Sequence, residues 1–134
     1  MALDSSLPVL LVDDYQTMVR VMRHLLTQAG YTTIDEAGDG EEALARMSER
    51  RYGLVISDLH MAPVDGLELV RRAKADEALS AVPIMLISAD ETPENVAAAH
   101  EAGAAAYLVK PFDAETLRNR IAVVLGAETA RAAA

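Results

Sequence analysis

Asp58 ends the apolar run Leu54-Val55-Ile56-Ser57, and the pair Asp13-Asp14 follows another, Val9-Leu10-Leu11-Val12. Two later runs behave alike: residues 82–87 lead to Ser88, and Tyr107-Leu108-Val109 leads to Lys110. If these runs are parallel, neighbouring strands, their terminal acids, hydroxyl and amine share one edge of a sheet. Crowded carboxylates repel one another and hold protons unless a cation offsets them. Oxygen ligands without His or Cys favour magnesium, which takes one or two carboxylates together with waters and a phosphate. With Asp58 as nucleophile and Lys110 to stabilise phosphoryl charge, the set suits phosphoryl transfer onto the carboxylate itself, giving an acyl phosphate. Each residue also has a plainer use: Asp-Asp can solvate a loop, a single lysine commonly snorkels to the surface, and many strands end in Ser. Three acids at two strand ends favour the joint reading.

The elements that must position these groups alternate strictly. Residues 8–12 read as a buried strand, and residues 17–29 as a helix with Met18, Val21, Met22, Leu25, Leu26 and Ala29 inward, stopped by Gly30. Residues 31–36 form a weaker strand, Asp39-Gly40 a turn, and residues 41–50 a helix with Ala43, Leu44 and Met47 inward. A strand over 53–57 and a helix over 66–75 follow, the latter with Leu67, Leu69 and Val70 inward. Then come a strand over 83–87, a helix from Pro93 to the residue before Gly103, and a strand over 105–109. Asp113 is the predicted N-cap of a last helix with Leu117, Ile121, Val124 and Leu125 inward, ending near Gly126. Strands apolar on both faces and separated by helices imply a doubly wound parallel sheet of five strands, with all strand C-termini on one edge.

Composition narrows the remaining classes. A length of 134 residues suits one domain, with no repeat, linker or room for a second. The net charge of -9 argues against direct contact with nucleic acid. Zero cysteines exclude disulfides and thiolate metal sites. No apolar run approaches the roughly 20 residues of a membrane span, and the start of the chain is too short and uncharged for a signal sequence. Cytoplasmic residence is the default.

The stretches LLVDD at 10–14, EAGDGEEAL at 36–44, ISDLHMAPVDG at 56–66, LISA at 86–89 and YLVKPF at 107–112 are collectively specific. In them the chain resembles the receiver domain of bacterial two-component response regulators, of the stand-alone CheY-like kind, over residues 8–126. The resemblance implies a flavodoxin-like fold with strand order 2-1-3-4-5. It makes residues 1–126 the receiver domain and 127–134 a short tail, whose Ala-rich sequence could extend the last helix or fray. It makes Asp58 the phosphoacceptor, with Mg2+ bound by Asp14, Asp58 and the backbone carbonyl of His60, and by Asp13 through water. Ser88 and the amide of Ala89 would bind phosphoryl oxygens, Lys110 would contact the phosphate, and Lys110-Pro111 would be cis. Tyr107 would be the aromatic that swings inward when Ser88 moves toward the phosphate. His60 and Asp90 hold the two positions that modulate how long the phosphoryl group survives.

One departure stands in the loop after Asp58. The family usually places proline directly after the methionine equivalent to Met61; here Ala62 intervenes before Pro63, leaving the loop's shape open while Asp65-Gly66 keep their spacing. With no output domain, the signal is expected to leave by protein contact. The implied partners are a sensor histidine kinase or histidine phosphotransfer protein, and a target on the face of the fourth helix, fifth strand and fifth helix. The protein would be a monomer or a phosphorylation-dependent dimer. It would catalyse its own phosphorylation and dephosphorylation and have no separate substrate. A phosphorelay shuttle or phosphate sink is the alternative. A magnesium-dependent hydrolase with an Asp nucleophile fits less well, lacking a second Asp two residues after Asp58 and a cap domain. A flavin-binding module would need a Ser/Thr/Gly-rich phosphate loop where the acids stand.

Overall fold

The computed structural model describes residues 7–62 and 64–133, with side chains described as far as residue 126. Pro63, on which the shape of the loop after Asp58 partly turns, lies outside the described residues. The strands are β1 (Val9–Val12), β2 (Ile34–Ala37), β3 (Leu54–Asp58), β4 (Ile84–Ser88) and β5 (Ala106–Val109). The helices are α1 (Gln16–Gln28), α2 (Gly40–Glu49), α3 (Gly66–Ala75), α4 (Pro93–Ala102) and α5 (Ala114–Ala133). All strand pairs are parallel, and the order is β2-β1-β3-β4-β5, as expected.

Apolar residues on both faces of each central strand give two cores. One packs Leu11, Ile56 and Ile87 under Met22 and Leu26 of α1 and Leu117, Ile121 and Val124 of α5. The other packs Leu10, Val55 and Leu86 under Ala43 and Met47 of α2, Leu69, Val70 and Ala73 of α3, and Ala99 of α4. Each fully buried aliphatic side chain contributes about 1.5–3 kcal/mol, so the central strands are the rigid part of the molecule.

Local signals set the helix ends. Asp39, Asp65 and Asp113 accept from the backbone N–H groups of Glu42, Glu68 and Thr116, each at 2.8 Å, capping α2, α3 and α5. Pro93 starts α4, and Gly103 closes it at φ 105°, in the left-handed region that a side chain would disfavour.

Three expectations need correction. Val21 is 45% exposed, because the buried face of α1 runs through Val19, Met22 and Leu26, turned slightly from the predicted stripe. The second strand begins at Ile34 rather than 31: the Tyr31 N–H bonds to the Leu26 carbonyl at 3.0 Å, tying that residue to the end of α1. The last helix does not end near Gly126 but runs to Ala133. An interior glycine costs only about 1 kcal/mol relative to alanine, and the alanine-rich sequence beyond it is strongly helix-forming. Among the described residues no helix is long and apolar enough to cross a membrane.

Candidate functional site

The register of the sheet assembles the site. Val12 pairs with Ser57, so Asp13 and Asp58 stand one step further along two neighbouring strands. Asp58 pairs with Ile87 and Ser88 with Val109, which places Ser88 and Lys110 along the same edge. Backbone bonds extend the pattern beyond the strands: Asp13 N–H to Ala37 O at 3.1 Å, Leu59 N–H to Ile87 O at 2.9 Å and Lys110 N–H to Ser88 O at 2.9 Å. The Lys110-Pro111 peptide is cis, as expected.

Asp58 is 8% exposed. Its Oδ1 accepts from Lys110 Nζ at 2.7 Å, and its Oδ2 from the His60 backbone N–H at 3.0 Å. Lys110 therefore reaches from the end of β5 past β4 rather than into solvent. Asp13 is buried; its Oδ1 accepts from the Tyr15 N–H at 3.0 Å, while its Oδ2 has no hydrogen-bond partner. Desolvation by burial pushes the Asp13 carboxyl up from its ordinary value, and the charges of Asp58 and Asp14 add to this. The Tyr15 N–H and Lys110 pull the other way. Asp14 is exposed beside them.

This donor set fits a hard divalent cation. A buried carboxylate oxygen without a partner, in a cluster of acids facing one lysine, is a cation acceptor by charge and chemistry. Among the described residues no three metal-ligating side chains are already gathered as a cage. Magnesium does not require one, because it commonly keeps several waters and takes only one or two carboxylates.

Ser88 is buried, and its Oγ accepts from the Asp90 N–H at 3.0 Å. Ala89 between them is exposed. Tyr107 is buried in the second core, and its hydroxyl donates to the Asp90 backbone carbonyl. The Asp90 carboxylate is turned to α4: Oδ1 accepts from the Thr92 N–H at 2.9 Å and Oδ2 from the Asn95 side-chain amide. These bonds, the Thr92 N–H foremost, hold the Asp90 carboxyl below its ordinary value, and His60 adds a smaller attraction. The His60 side chain is exposed. The structure thus brings Asp13, Asp58, Ser88 and Lys110 to one edge, with Asp14, His60, Ala89 and Asp90 around it and Tyr107 beneath.

Three contributors escaped the sequence reading. Ser57, fully buried, donates from Oγ to the Asp58 carbonyl at 2.9 Å. Gly66 starts α3 so close to the strand end that a Cβ there would lie 2.4 Å from the Asp58 backbone oxygen. Asn95 holds Asp90. Gly66 could have been suspected from its place after the N-cap Asp65; Ser57 and Asn95 carry no local signal. A groove of about 410 Å³ lies away from all these groups, between α1, β2 and α2, lined by Arg23, Glu36, Glu42 and Arg46. Its charges are paired, Arg23 with Glu36 at 2.8 Å, Arg46 with Glu42 at 3.9 Å and Asp35 with Arg50 at 2.9 Å.

Comparison with known proteins gives the family. Residues 9–122 match the family described as response regulator receiver domain. The chemotaxis protein CheY-3 of Vibrio cholerae is 34% identical over 119 residues, which span 89% of this chain and 92% of that protein. The chemotaxis protein CheY of Pseudomonas aeruginosa is 34% identical over 113 residues, 84% of this chain and 91% of the relative. The structure of Vibrio cholerae CheY4 aligns with a TM-score of 0.82 at 34% identity, covering 89% of this chain and 98% of that one. A receiver domain of a signal transduction histidine kinase from Syntrophus aciditrophicus aligns with a TM-score of 0.82 at 29% identity, over 91% and 92%. The chain belongs to the response regulator receiver family and is a CheY-like signalling protein of two-component systems.

Proposed function

We propose that this receiver takes a phosphoryl group from the phosphohistidine of a sensor kinase or phosphotransfer protein onto Asp58. The observation that carries the reading is the 2.7 Å pair between Lys110 Nζ and a nearly buried Asp58, beside an Asp13 oxygen without a partner. In the transfer an Asp58 carboxylate oxygen attacks phosphorus, the phosphorus–nitrogen bond breaks, and the donor imidazole leaves and takes up a proton. Lys110 turns its charge from the carboxylate to the phosphoryl oxygens, and Ser88 Oγ and the Ala89 N–H donate to them. Such donors act by fixed position and charge, which is most of what phosphoryl transfer needs. Asp13, Asp14, Asp58 and the His60 carbonyl would hold Mg2+, whose contribution is positive charge against the acids and the arriving phosphoryl oxygens. Return to the resting state is hydrolysis: water attacks phosphorus, the acyl oxygen leaves as the Asp58 carboxylate, and inorganic phosphate departs. His60 and Asp90, at the mouth of the site, modulate that step.

Residues 1–126 form the functional receiver in this reading and 127–134 a tail. The phosphorylated state binds a target through α4, β5 and α5, in a chemotaxis-like or another two-component circuit, in the cytoplasm. Incubation with Mg2+ and a small phosphodonor should give an acid-stable, base-labile adduct that is lost in Asp58→Asn. Turnover of an added phosphomonoester without an adduct would favour a hydrolase instead.

A further inference from the structure

The stretch EAGDGEEAL at 36–44 supplies no side chain to the site, yet its backbone meets the site's loops on two sides. The Ala37 carbonyl accepts from the Asp13 N–H at 3.1 Å, and the Gly40 N–H donates to the Val64 carbonyl at 3.2 Å. Asp13 is one proposed metal ligand, and Val64 lies in the loop over 59–65 that carries another, the His60 carbonyl. The turn from β2 into α2 is itself firmly set. The Asp39 carboxylate accepts from the Glu42 N–H at 2.8 Å, and the Glu42 carboxylate accepts in return from the Gly38 N–H. Side chains that bond back and forth across a helix start in this way fix its first turn.

The loop over 59–65 depends more on its surroundings. The Gly66 N–H closes its neck on the Leu59 carbonyl at 3.0 Å, and the His60 N–H bonds to Asp58 Oδ2. His60, Ala62 and Asp65 are exposed and Met61 is partly so, whereas Leu59 and Val64, toward the two ends, are buried. Ala62, where the family usually has proline, leaves φ free at a position that proline would hold. Val64 is seated on Gly40. A Cβ at position 40 would lie 2.5 Å from Val64 Cγ1 and 2.8 Å from its Cβ and its carbonyl oxygen. Only glycine fits there without pushing the loop away.

We propose that Gly40 and Val64 are a positioning pair for the divalent-cation site: the capped start of α2 sets the loop over 59–65, and through it the His60 carbonyl. The inference rests on the reading of that carbonyl as a Mg2+ ligand. Neither residue is a ligand, and neither carries charge, so the pair acts on the shape of the site alone. Shape matters because magnesium demands near-ideal octahedral geometry. Enlarging Gly40 pushes the loop outward, and trimming Val64 leaves it unsupported. Making both changes together offsets them in part, because the new methyl group at position 40 enters the space that Val64 Cγ1 vacates.

The test titrates the 15N-labelled full chain with MgCl2, without phosphodonor, and follows the Asp58, Leu59 and His60 amide resonances. Gly40→Ala and Val64→Ala should each weaken Mg2+ binding by roughly tenfold, the lower end of the usual cost of losing a group that orients a metal ligand. Both should also speed hydrogen exchange of the Gly66 N–H in the metal-free protein. In the double variant the loss of affinity should fall short of the product of the two single losses, as for residues in contact. Tyr52→Phe, which breaks a bond to Asp35 at the opposite end of β3, is the control and should bind Mg2+ as the wild type does. Lowered stability with unchanged Mg2+ affinity in Gly40→Ala and Val64→Ala would mark a merely structural contact and overturn the proposal. Losses that simply multiply in the double variant would overturn it as well. Should Gly40→Ala not fold, wild-type affinity in Val64→Ala is enough to reject it. A wild-type protein without a saturable Mg2+ response would end the metal reading and this inference with it. Unchanged Gly66 exchange in the variants of a protein that does bind Mg2+ would end this inference alone.

Discussion

Asp13→Asn should make the metal-free protein more stable. The side chain is 5% exposed, and one of its oxygens has no hydrogen-bond partner. Burial and the charges of Asp58 and Asp14 all disfavour its ionised form. A buried polar group left unsatisfied costs about 1–3 kcal/mol, and more when charged. Asparagine keeps the acceptor for the Tyr15 N–H and replaces the orphan oxygen with an NH2 that a neighbouring carboxylate can accept. Against this stands the lost attraction of Lys110, a smaller contribution here because that lysine is already paired with Asp58. The expected net gain at pH 7 is about 1–3 kcal/mol, which at a urea slope of about 2 kcal/mol/M moves the midpoint up by roughly 0.5–1.5 M. The pH dependence follows from the sign of the shift. Because the folded-state pKa of Asp13 lies above its ordinary value of 3.8, the penalty is complete at pH values above the folded pKa. It fades as the pH falls through that value, since the native state takes the proton first. The stability curves of wild type and variant should therefore converge toward pH 4. Magnesium should also narrow the gap, since a ligand at 100 times its Kd adds about 2.7 kcal/mol to the state that binds it. A variant that is equal or less stable at pH 7, or a gap that stays constant down to pH 4, would refute the reasoning.

Lys110→Met leaves the Asp58 carboxylate without its cation and should slow adduct formation from a small phosphodonor by about 10²–10³-fold, the usual cost of one oriented charge donor; an unchanged rate would remove Lys110 from the transfer. Gly66→Ala would set a Cβ 2.4 Å from the Asp58 carbonyl oxygen and 3.1 Å from Leu59 Cα, and because these are backbone atoms it should destabilise by about 1–3 kcal/mol in urea titration. Tyr52→Phe breaks the 2.6 Å bond from the Tyr52 hydroxyl to Asp35 and should lower stability by about 1–2 kcal/mol, softened because Arg50 keeps its own contact with Asp35 at 2.9 Å. Burial and Asp35 push the Tyr52 hydroxyl up to about 12, so its contribution is intact below pH 10 and is lost as the pH rises from there through about 12; alkaline titration of Tyr52→Phe should lack that loss.

The parts of the fold that were legible in the sequence are those where one strong local cause decides. Four-to-six-residue apolar runs alternating with helical stripes left little choice but a parallel sheet, and parallel strands put their C-termini on one edge. Asp58, Asp13, Ser88 and Lys110 could therefore be grouped before any coordinate was known. Asp113 was recognisable as a cap because its bond is made within three residues. What escaped depends on pairs distant in sequence or on small rotations. A turn of α1 by a fraction of a residue exchanges Val21 for Val19, and a stripe containing Met18, Val21, Met22 and Leu25 does not resolve it. Gly66 is required by the carbonyl of Asp58, eight positions earlier, and Asn95 is significant only because Asp90 points toward it. The extension of α5 past Gly126 was a balance of about 1 kcal/mol, below what patterning alone resolves.

The positions of Ser88 and Lys110 in the resting protein bear on how the site can act as a switch. Both groups that would meet a phosphoryl oxygen already have partners: Lys110 holds Asp58, and Ser88 Oγ accepts the Asp90 N–H. A phosphoryl group on Asp58 replaces one negative charge by nearly two and moves it outward from the strand end, so Lys110 can follow the charge without leaving the cluster. Ser88 cannot follow without altering its contact with Asp90, whose carbonyl carries the Tyr107 hydroxyl. The two ligands therefore differ in kind. Lysine is a long, rotatable point charge, and its relocation is absorbed by its own side chain. Serine is short, buried and fixed to the end of β4, so its displacement is passed to the backbone that follows. In the proposed switch, then, Lys110 would carry the chemistry and Ser88 the signal.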